Sequence, residues 1–420
     1  IMIETKFKQT ELGPIPEDWN IYTLGTVSDI KTGPFGSALH ASDYVRFGTP
    51  IITVEHLGEP YIIHAPNIPL VGLEDKKRLS QYTLRTGDIV YSRVGSVDRN
   101  SVVTENEDGW LFSGRLLRVR NSDTYYAPYL GYHLNSNNAK KRIISSAVGL
   151  GMPSINTKIL GEHIIILPSS IDEQKRIAEA LSDIDDLTHE LDSLIEKKKA
   201  VLQGTMQELL TGNLRLPGFN ESWKSLQLKD CGYFIGGGTP STNNPLFWNG
   251  EIPWISSSDL AKSRLHSLTI TKKITDEAIN FSSTKRCPKD TILIVSRVGV
   301  GKVDIAPCEV CTSQDFTNLV LYDGYDVSFI AYYLIPCLAA KSFEAQGTSI
   351  QGISTKEVKD LQLIIPTNIE EQKAIAAILS DMDAEIGELE AKREKYASIR
   401  QGMMQQLLTC LLYTSDAADE

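Results

Sequence analysis

Apolar residues recur at mixed three- and four-residue steps over two long stretches of this chain. In the first they are Ile177, Leu181, Ile184, Leu191, Leu194, Val201 and Leu209; in the second, Ile375, Leu379, Met382, Ile386, Leu389, Tyr396, Ile399, Met403 and Leu407. Charged residues fill the positions between. The pattern predicts two amphipathic helices with a coiled-coil-like seam, each about 60 Å long if continuous. Leu167-Pro168-Ser169-Ser170 and Ile365-Pro366-Thr367-Asn368 precede them, each a proline stop followed by capping candidates.

The two helical stretches are copies of each other. Ile171 to Thr211 returns without a gap at Ile369 to Thr409, at a constant offset of 198 and with about half of the positions identical. The regions in front are related more loosely. Each has a proline-led entry and a tryptophan (Pro16 to Trp19; Pro217 to Trp223), then a glycine-rich turn (Thr32-Gly33-Pro34-Phe35-Gly36; Gly236-Gly237-Gly238-Thr239-Pro240). Each continues through a β-rich run ending in Ser-Arg-Val-Gly, at 92–95 and 296–299, and an aromatic helical stretch, Tyr125–Leu134 and Phe329–Leu338. Thr-Lys at 157–158 and 355–356 and a short apolar strand close each region. Short strands broken by Gly, Pro and Asn predict α+β domains. The order of parts is a first domain at 1–168, a helical spacer at 169–212, a second domain at 213–366, a second spacer at 367–409 and a tail at 410–420. Two copies of one helix are expected to pack as an antiparallel coiled coil. Trp19, Trp223 and Trp254 are assigned to the cores.

Charge sharpens this division. The net charge of −11, taken alone, argues against nucleic acid, since DNA-binding domains are usually basic. The first helical copy, however, holds ten acids against five bases, the second eight against five, and the tail three acids more. The remainder of the chain is neutral, so the domains are free to carry local basic patches. The acidic helices are expected to repel DNA and to face protein partners, with Asp183, Asp185, Asp381 and Asp383 the candidate partner-binding residues.

No residue set here assembles a nucleophile, base and orienter. Gly301-Lys302 lacks the rest of a phosphate-binding loop, and Gly236-Gly237-Gly238 lacks dinucleotide-binding spacing and reads as a tight turn. Asn244-Pro245-Leu246-Phe247 is an incomplete version of the tetrapeptide of amino-methyltransferases, with no cofactor-binding glycine strand. The seven histidines show no metal spacing, and Cys308 and Cys311 form a lone CxxC. The reading is non-catalytic, with no cofactor and no metal. Six irregularly spaced cysteines argue against a disulfide framework and for a reducing cytoplasm. No apolar run is long enough to cross a membrane.

The Glu-Gln-Lys opening of each helix, its Gln-Gly-x-Met-Gln-x-Leu-Leu-Thr ending and the order of parts resemble the DNA-specificity subunit of type I restriction–modification systems. Gly-Gly-Gly-Thr-Pro-Ser at 236–241, Trp248-Asn249-Gly250-Glu251-Ile252-Pro253-Trp254-Ile255 and Thr312-Ser313-Gln314-Asp315-Phe316 are similar to one group of target-recognition domains. The resemblance covers residues 5 to 409. It implies two target-recognition domains that each read half of a split, asymmetric double-stranded DNA target. It also implies helices that set the gap and dock two methyltransferase subunits, an assembly that recruits restriction subunits, and no catalysis by the chain itself. By position within each domain, the DNA-binding candidates are Ser92, Arg93, Arg99 and Arg115 in the first, and Ser296, Arg297, Lys302 and Gln314 in the second. Arginine can bond bidentately to guanine and glutamine to adenine, while lysine and serine suit phosphate or base edges. The tail after Thr409 matches neither the first repeat nor the family pattern, and the chain starts with Ile, so both ends are expected to be non-native. Two other classes compete. A DNA methyltransferase needs the motifs that are missing, and a purely structural coiled-coil scaffold leaves the paired Ser-Arg-Val-Gly domains unexplained.

Overall fold

A computed structural model describes residues 6–10, 12–34, 39–149, 151–262, 264–345 and 352–409. The readings of Phe35-Gly36, the first residues and the 410–420 tail lie outside the described residues. The chain divides into two compact units. One takes the residues up to Glu190 and those from Arg393 on, the other Leu191–Lys392. The division therefore falls within both long helices, Ile171–Leu210 and Ile369–Thr409.

Both units are built on one topology. In the first, an antiparallel sheet runs Ser28–Thr32, Leu116–Asn121, Ile89–Ser92, Asn100–Val102; in the second, Gly232–Gly236, Thr317–Leu321, Ile292–Ile294, Val303–Ile305. A second sheet in each contains a parallel pair, Leu111–Phe112 on Thr49–Ile52 and Val310–Thr312 on Ile252–Ile255. A two-stranded ladder closes each unit, Trp19–Thr23 with Ile164–Pro168 and Trp223–Gln227 with Gln362–Pro366. The units differ at the edge of the second sheet, where the first adds Tyr44–Val45 and the second adds Arg286–Cys287. The α+β reading and the tandem pseudo-repeat match this architecture. Trp19 and Trp254 are buried and Trp223 is half-buried.

The glycine turns have a steric reason. A Cβ on Gly33 would lie 2.1 Å from the Ser113 carbonyl oxygen, and one on Gly237 would lie 1.9 Å from that of Ser313. Only glycine lets the chain approach the neighbouring strand so closely.

The start of each long helix is fixed by the same bonds, which explains its Glu-Gln opening. Trp19 Nε1 donates to Glu173 (3.2 Å), while buried Gln174 donates to the Pro168 carbonyl (2.8 Å) and accepts from the Tyr126 amide (2.7 Å). In the second unit Trp223 donates to Glu371 (3.4 Å), and Gln372 donates to Pro366 (2.9 Å) and accepts from Asp326 (2.9 Å). Each glutamine satisfies a strand-end carbonyl and a half-buried amide from the segment before the neighbouring helix.

Within each unit the helix halves pack antiparallel. In the first, Asp185 pairs with Arg400; in the second, Lys198 pairs with Glu385 (2.6 Å) and Lys199 with Glu390 (3.1 Å). The seam departs from the sequence reading at Leu194, Val201 and Ile399, which are exposed, while Ile195, Leu202 and Met206 are buried. After Leu191 the buried stripe advances by four residues and then seven, whereas a three-residue step to Leu194 leaves the stripe.

Candidate nucleic-acid interface

In the first unit the central strand Ile89–Ser92 ends in a hairpin, residues 93–99, that leads back into Asn100–Val102. The Ser92 amide donates to the Arg99 carbonyl (2.9 Å) and the Arg93 amide to the Arg115 carbonyl (3.0 Å). The fold thus brings Ser92, Arg93, Arg99 and Arg115 to one end of the sheet. Their side chains are not equally available. Ser92 is buried; Arg93 Nη1 donates to the Gly114 carbonyl (3.2 Å); Arg99 Nη2 donates to the Leu57 carbonyl; Arg115 is exposed.

The second unit repeats the arrangement with other side chains. Val295 N–H bonds the Lys302 carbonyl (3.0 Å), and the Ser296 and Arg297 amides both reach the Asp315 carbonyl (2.8 and 3.2 Å). Buried Ser296 also donates its hydroxyl to the Asp315 carbonyl (3.1 Å). Lys302 Nζ donates to the Ser257 carbonyl (2.7 Å), as Arg99 does to Leu57. Arg297 is exposed, and exposed Gln314 accepts from the Thr239 hydroxyl on the glycine-rich turn. Each hairpin is therefore pinned to the loop after the parallel strand by one basic side chain. The sequence did not reveal that Arg99 and Lys302 are counterparts, because the two Ser-Arg steps lie one position out of register: the hairpins, closed by Ser92 on Arg99 and by Val295 on Lys302, have equal length, and Arg93 takes the place of Ser296. Position 115 is arginine where the second unit has Asp315, and position 114 is glycine where it has Gln314. One strand end is thus purely basic in its exposed charge, and the other mixes cation, amide and acid.

The helix carboxylates divide in the same way in both units. Asp183 and Asp381 are exposed. Asp185 accepts from the Tyr132 hydroxyl (2.8 Å) and pairs with Arg400. Asp383 is buried and takes Arg264 Nε (3.1 Å) and the Leu265 amide (3.1 Å). Burial pushes the Asp383 carboxyl above its ordinary range, against the opposite pull of Arg264 and the Leu265 N–H. The lone CxxC is split between a strand and its approach, Cys311 buried and Cys308 exposed.

Residues 16–201 and 220–397 each match the model of the type I restriction modification DNA specificity domain. The chain belongs to this family. A putative type I restriction enzyme specificity subunit of Methanocaldococcus jannaschii, MjaX, is 27% identical over 97% of this chain and 96% of its own length. The EcoR124I/EcoR124II specificity subunit of Escherichia coli is 31% identical over 50% of this chain and 52% of its own. In fold, the S subunit of the type I restriction–modification system of M. genitalium aligns over 93% of this chain and 96% of its own with a TM-score of 0.61, at 16% identity. The doubled family match falls on the two units that share a topology.

Proposed function

We propose that this chain is the recognition component of a type I restriction–modification complex and that each unit reads one half of a split, asymmetric duplex target. The observation that carries this is the pair of equivalent strand-end hairpins, held by the same backbone bonds yet presenting Arg93, Arg99 and Arg115 in one unit and Arg297, Lys302 and Gln314 beside Asp315 in the other. Equal frames with different polar side chains suit two different half-sites, since base edges are distinguished by donor and acceptor pattern. Ser92 and Ser296, both buried, support their hairpins, and Arg99 and Lys302 place theirs while keeping charge near phosphate.

The chain supplies recognition and no chemistry of its own. Methylation comes from two methyltransferase subunits docked on the acidic helices, and cleavage from restriction subunits that join them in the cytoplasm. Asp183 and Asp381, exposed at equivalent helix positions, face the methyltransferases, whereas Asp185 and Asp383 anchor each helix to its own unit. Asp183→Lys with Asp381→Lys should weaken methyltransferase assembly and leave DNA affinity of the isolated chain unchanged; equal loss of both sinks this division of labour.

The deciding experiment is a methylome of this chain co-expressed with its methyltransferase in a methylation-free host. A split, asymmetric motif with methylated adenines is expected. A contiguous or palindromic motif overturns the two-half-site reading, and a host left unmethylated by an assembled complex favours a scaffold.

A further inference from the structure

Beside each Ser-Arg step the molecule exposes apolar side chains that no core claims. In the second unit Val298, next to Arg297 at the hairpin tip, is 70% exposed. Val94, the valine of the first unit's Ser-Arg-Val-Gly run, is half-buried under a neighbouring segment. Ser154 bridges to Val94, the Gly95 amide donates to the Pro153 carbonyl (2.9 Å) and the Ile155 amide to the Arg93 carbonyl (2.9 Å). The covering segment then presents its own apolar pair. Val148 and Ser154 exchange both backbone bonds (3.0 and 2.9 Å), and Val148 and Met152 stand 56% and 64% exposed. Gly149 closes this approach at φ +111°, where a Cβ would lie 2.7 Å from the Met152 carbonyl oxygen. In both units, then, exposed apolar side chains stand beside the hairpin that carries the arginines, by different routes: Val298 belongs to the hairpin itself, and Val148 and Met152 belong to a segment bonded to it.

We propose that these are apolar fingers that read thymine methyl groups in the major groove, Val148 with Met152 for one half-site and Val298 for the other. The inference rests on the DNA-reading role proposed above and adds the chemical feature that is read. Three points favour a DNA occupant. The neighbouring exposed or half-buried cations, Arg93, Arg99 and Arg115 in the first unit and Arg297 and Lys302 in the second, complement phosphate. The acids on the same elements are few, half-buried Asp98 and Asp315. Valine is too short to wedge between stacked bases from a β-turn, but it reaches a methyl that projects into the groove, and contact with that methyl is how apolar side chains tell thymine from cytosine.

The test uses the full chain assembled with its methyltransferase subunits and duplexes carrying the mapped target, in which the thymines of one half-site at a time are replaced by deoxyuridine. Wild-type affinity should fall roughly fourfold for each contacted methyl removed. Val148→Ser with Met152→Ser should bind the two duplexes of one half-site equally, and Val298→Ser those of the other. Met152→Leu, still apolar, should keep the discrimination, which separates the finger from a folding defect. Indifference of the wild type to deoxyuridine, or unchanged discrimination in the serine variants, overturns the proposal while sequence-specific binding leaves the DNA-reading role intact. Loss of methyltransferase assembly in the serine variants with DNA binding unchanged overturns it in favour of a protein-facing patch. Absence of any specific binding by the wild type removes the parent role and this proposal together.

Discussion

Asp185 and Asp383 occupy the same step of the two copied helices, yet the cation that holds each comes from a different place. In the first unit it is Arg400, from the opposite long helix, and the Tyr132 hydroxyl completes the site. In the second it is Arg264, from the coil before strand Lys272–Ile274, and the position matching Arg400 is buried Leu202. The flanking grooves follow. Beside the second unit's helix halves lies a cavity of about 850 Å³ lined by Leu202, Met206, Leu210, Ile335 and Ile386, while the equivalent one of about 600 Å³ in the first unit is lined by Lys140, Lys141, Arg400, Gln401 and Gln405. Duplicated sequence has preserved where an anion is needed, and each unit has solved its neutralisation locally. Two helix faces that look equal in sequence are chemically unequal.

The comparison breaks most sharply at these ion pairs. Asp383 is only 3% exposed, so Arg264→Met leaves a buried charge without its partner and should cost about 3–5 kcal/mol. Loss of hydrogen-exchange protection in peptides from 369–392 is the measurement, and adding Asp383→Asn should restore most of it. Arg400→Met should cost less, about 1–2 kcal/mol by the penalty for an unpaired polar group, because the Asp185 side chain keeps one-fifth of its surface in water. Equal losses in both units, or no rescue by Asp383→Asn, contradict this account.

Much of this was legible in the sequence. The doubled helix and the α+β character rest on local patterns, and the structure repeats them as one topology, whereas the two Ser-Arg-Val-Gly runs sit one position out of register in their hairpins. The seam slipped at Leu194 and Val201 because a three-residue and a four-residue step are both apolar there, and only packing decides between them. Side-chain fate was least legible. Asp185 and Asp383 read as surface acids because their partners are 215 and 119 residues away. Val148 and Met152 read as nothing in particular, since exposure of an apolar residue beside a distant hairpin leaves no mark on its neighbours in the chain.

Acid should separate the two units further. Burial, then Arg142 and His163, hold His133 down to about 3 despite a backbone bond to Leu408; burial and then Arg142 hold His163 down to about 4. The second unit has Tyr333 and Leu361 at these places. Both histidines stay neutral when folded, whereas the unfolded chain takes up protons below about 6.5. Stability is thus full above that value and falls as pH drops from about 6.5 toward 4, with a slope approaching about 1.4 kcal/mol per pH unit for each histidine. Protection in peptides of the first unit should drop between pH 6.5 and 5 well before that of the second. His133→Tyr with His163→Leu, which imitates the second unit, should flatten the profile; an unchanged profile removes the histidines as its cause.

The smallest effect should come from exchanging the charge that most distinguishes the strand ends. Arg115 is exposed, and its carbonyl, like that of Asp315, already serves the hairpin, so the side chain can change without disturbing the frame. Arg115→Asp gives the first unit the second's charge and removes one cation from the proposed interface. If that cation meets a phosphate, affinity should fall for all sequences alike and the slope of log affinity against log salt should flatten by about one. If it meets a guanine instead, the loss should concentrate on one base pair and cost about 1–3 kcal/mol there. Asp315→Arg should steepen the slope of the second half-site, because it relieves an acid that sits beside Arg297. Opposite signs from the two substitutions, read with the same duplex across a salt series, would establish the strand ends as paired readers of unlike charge; like signs would show that the two ends do not face DNA in the same way.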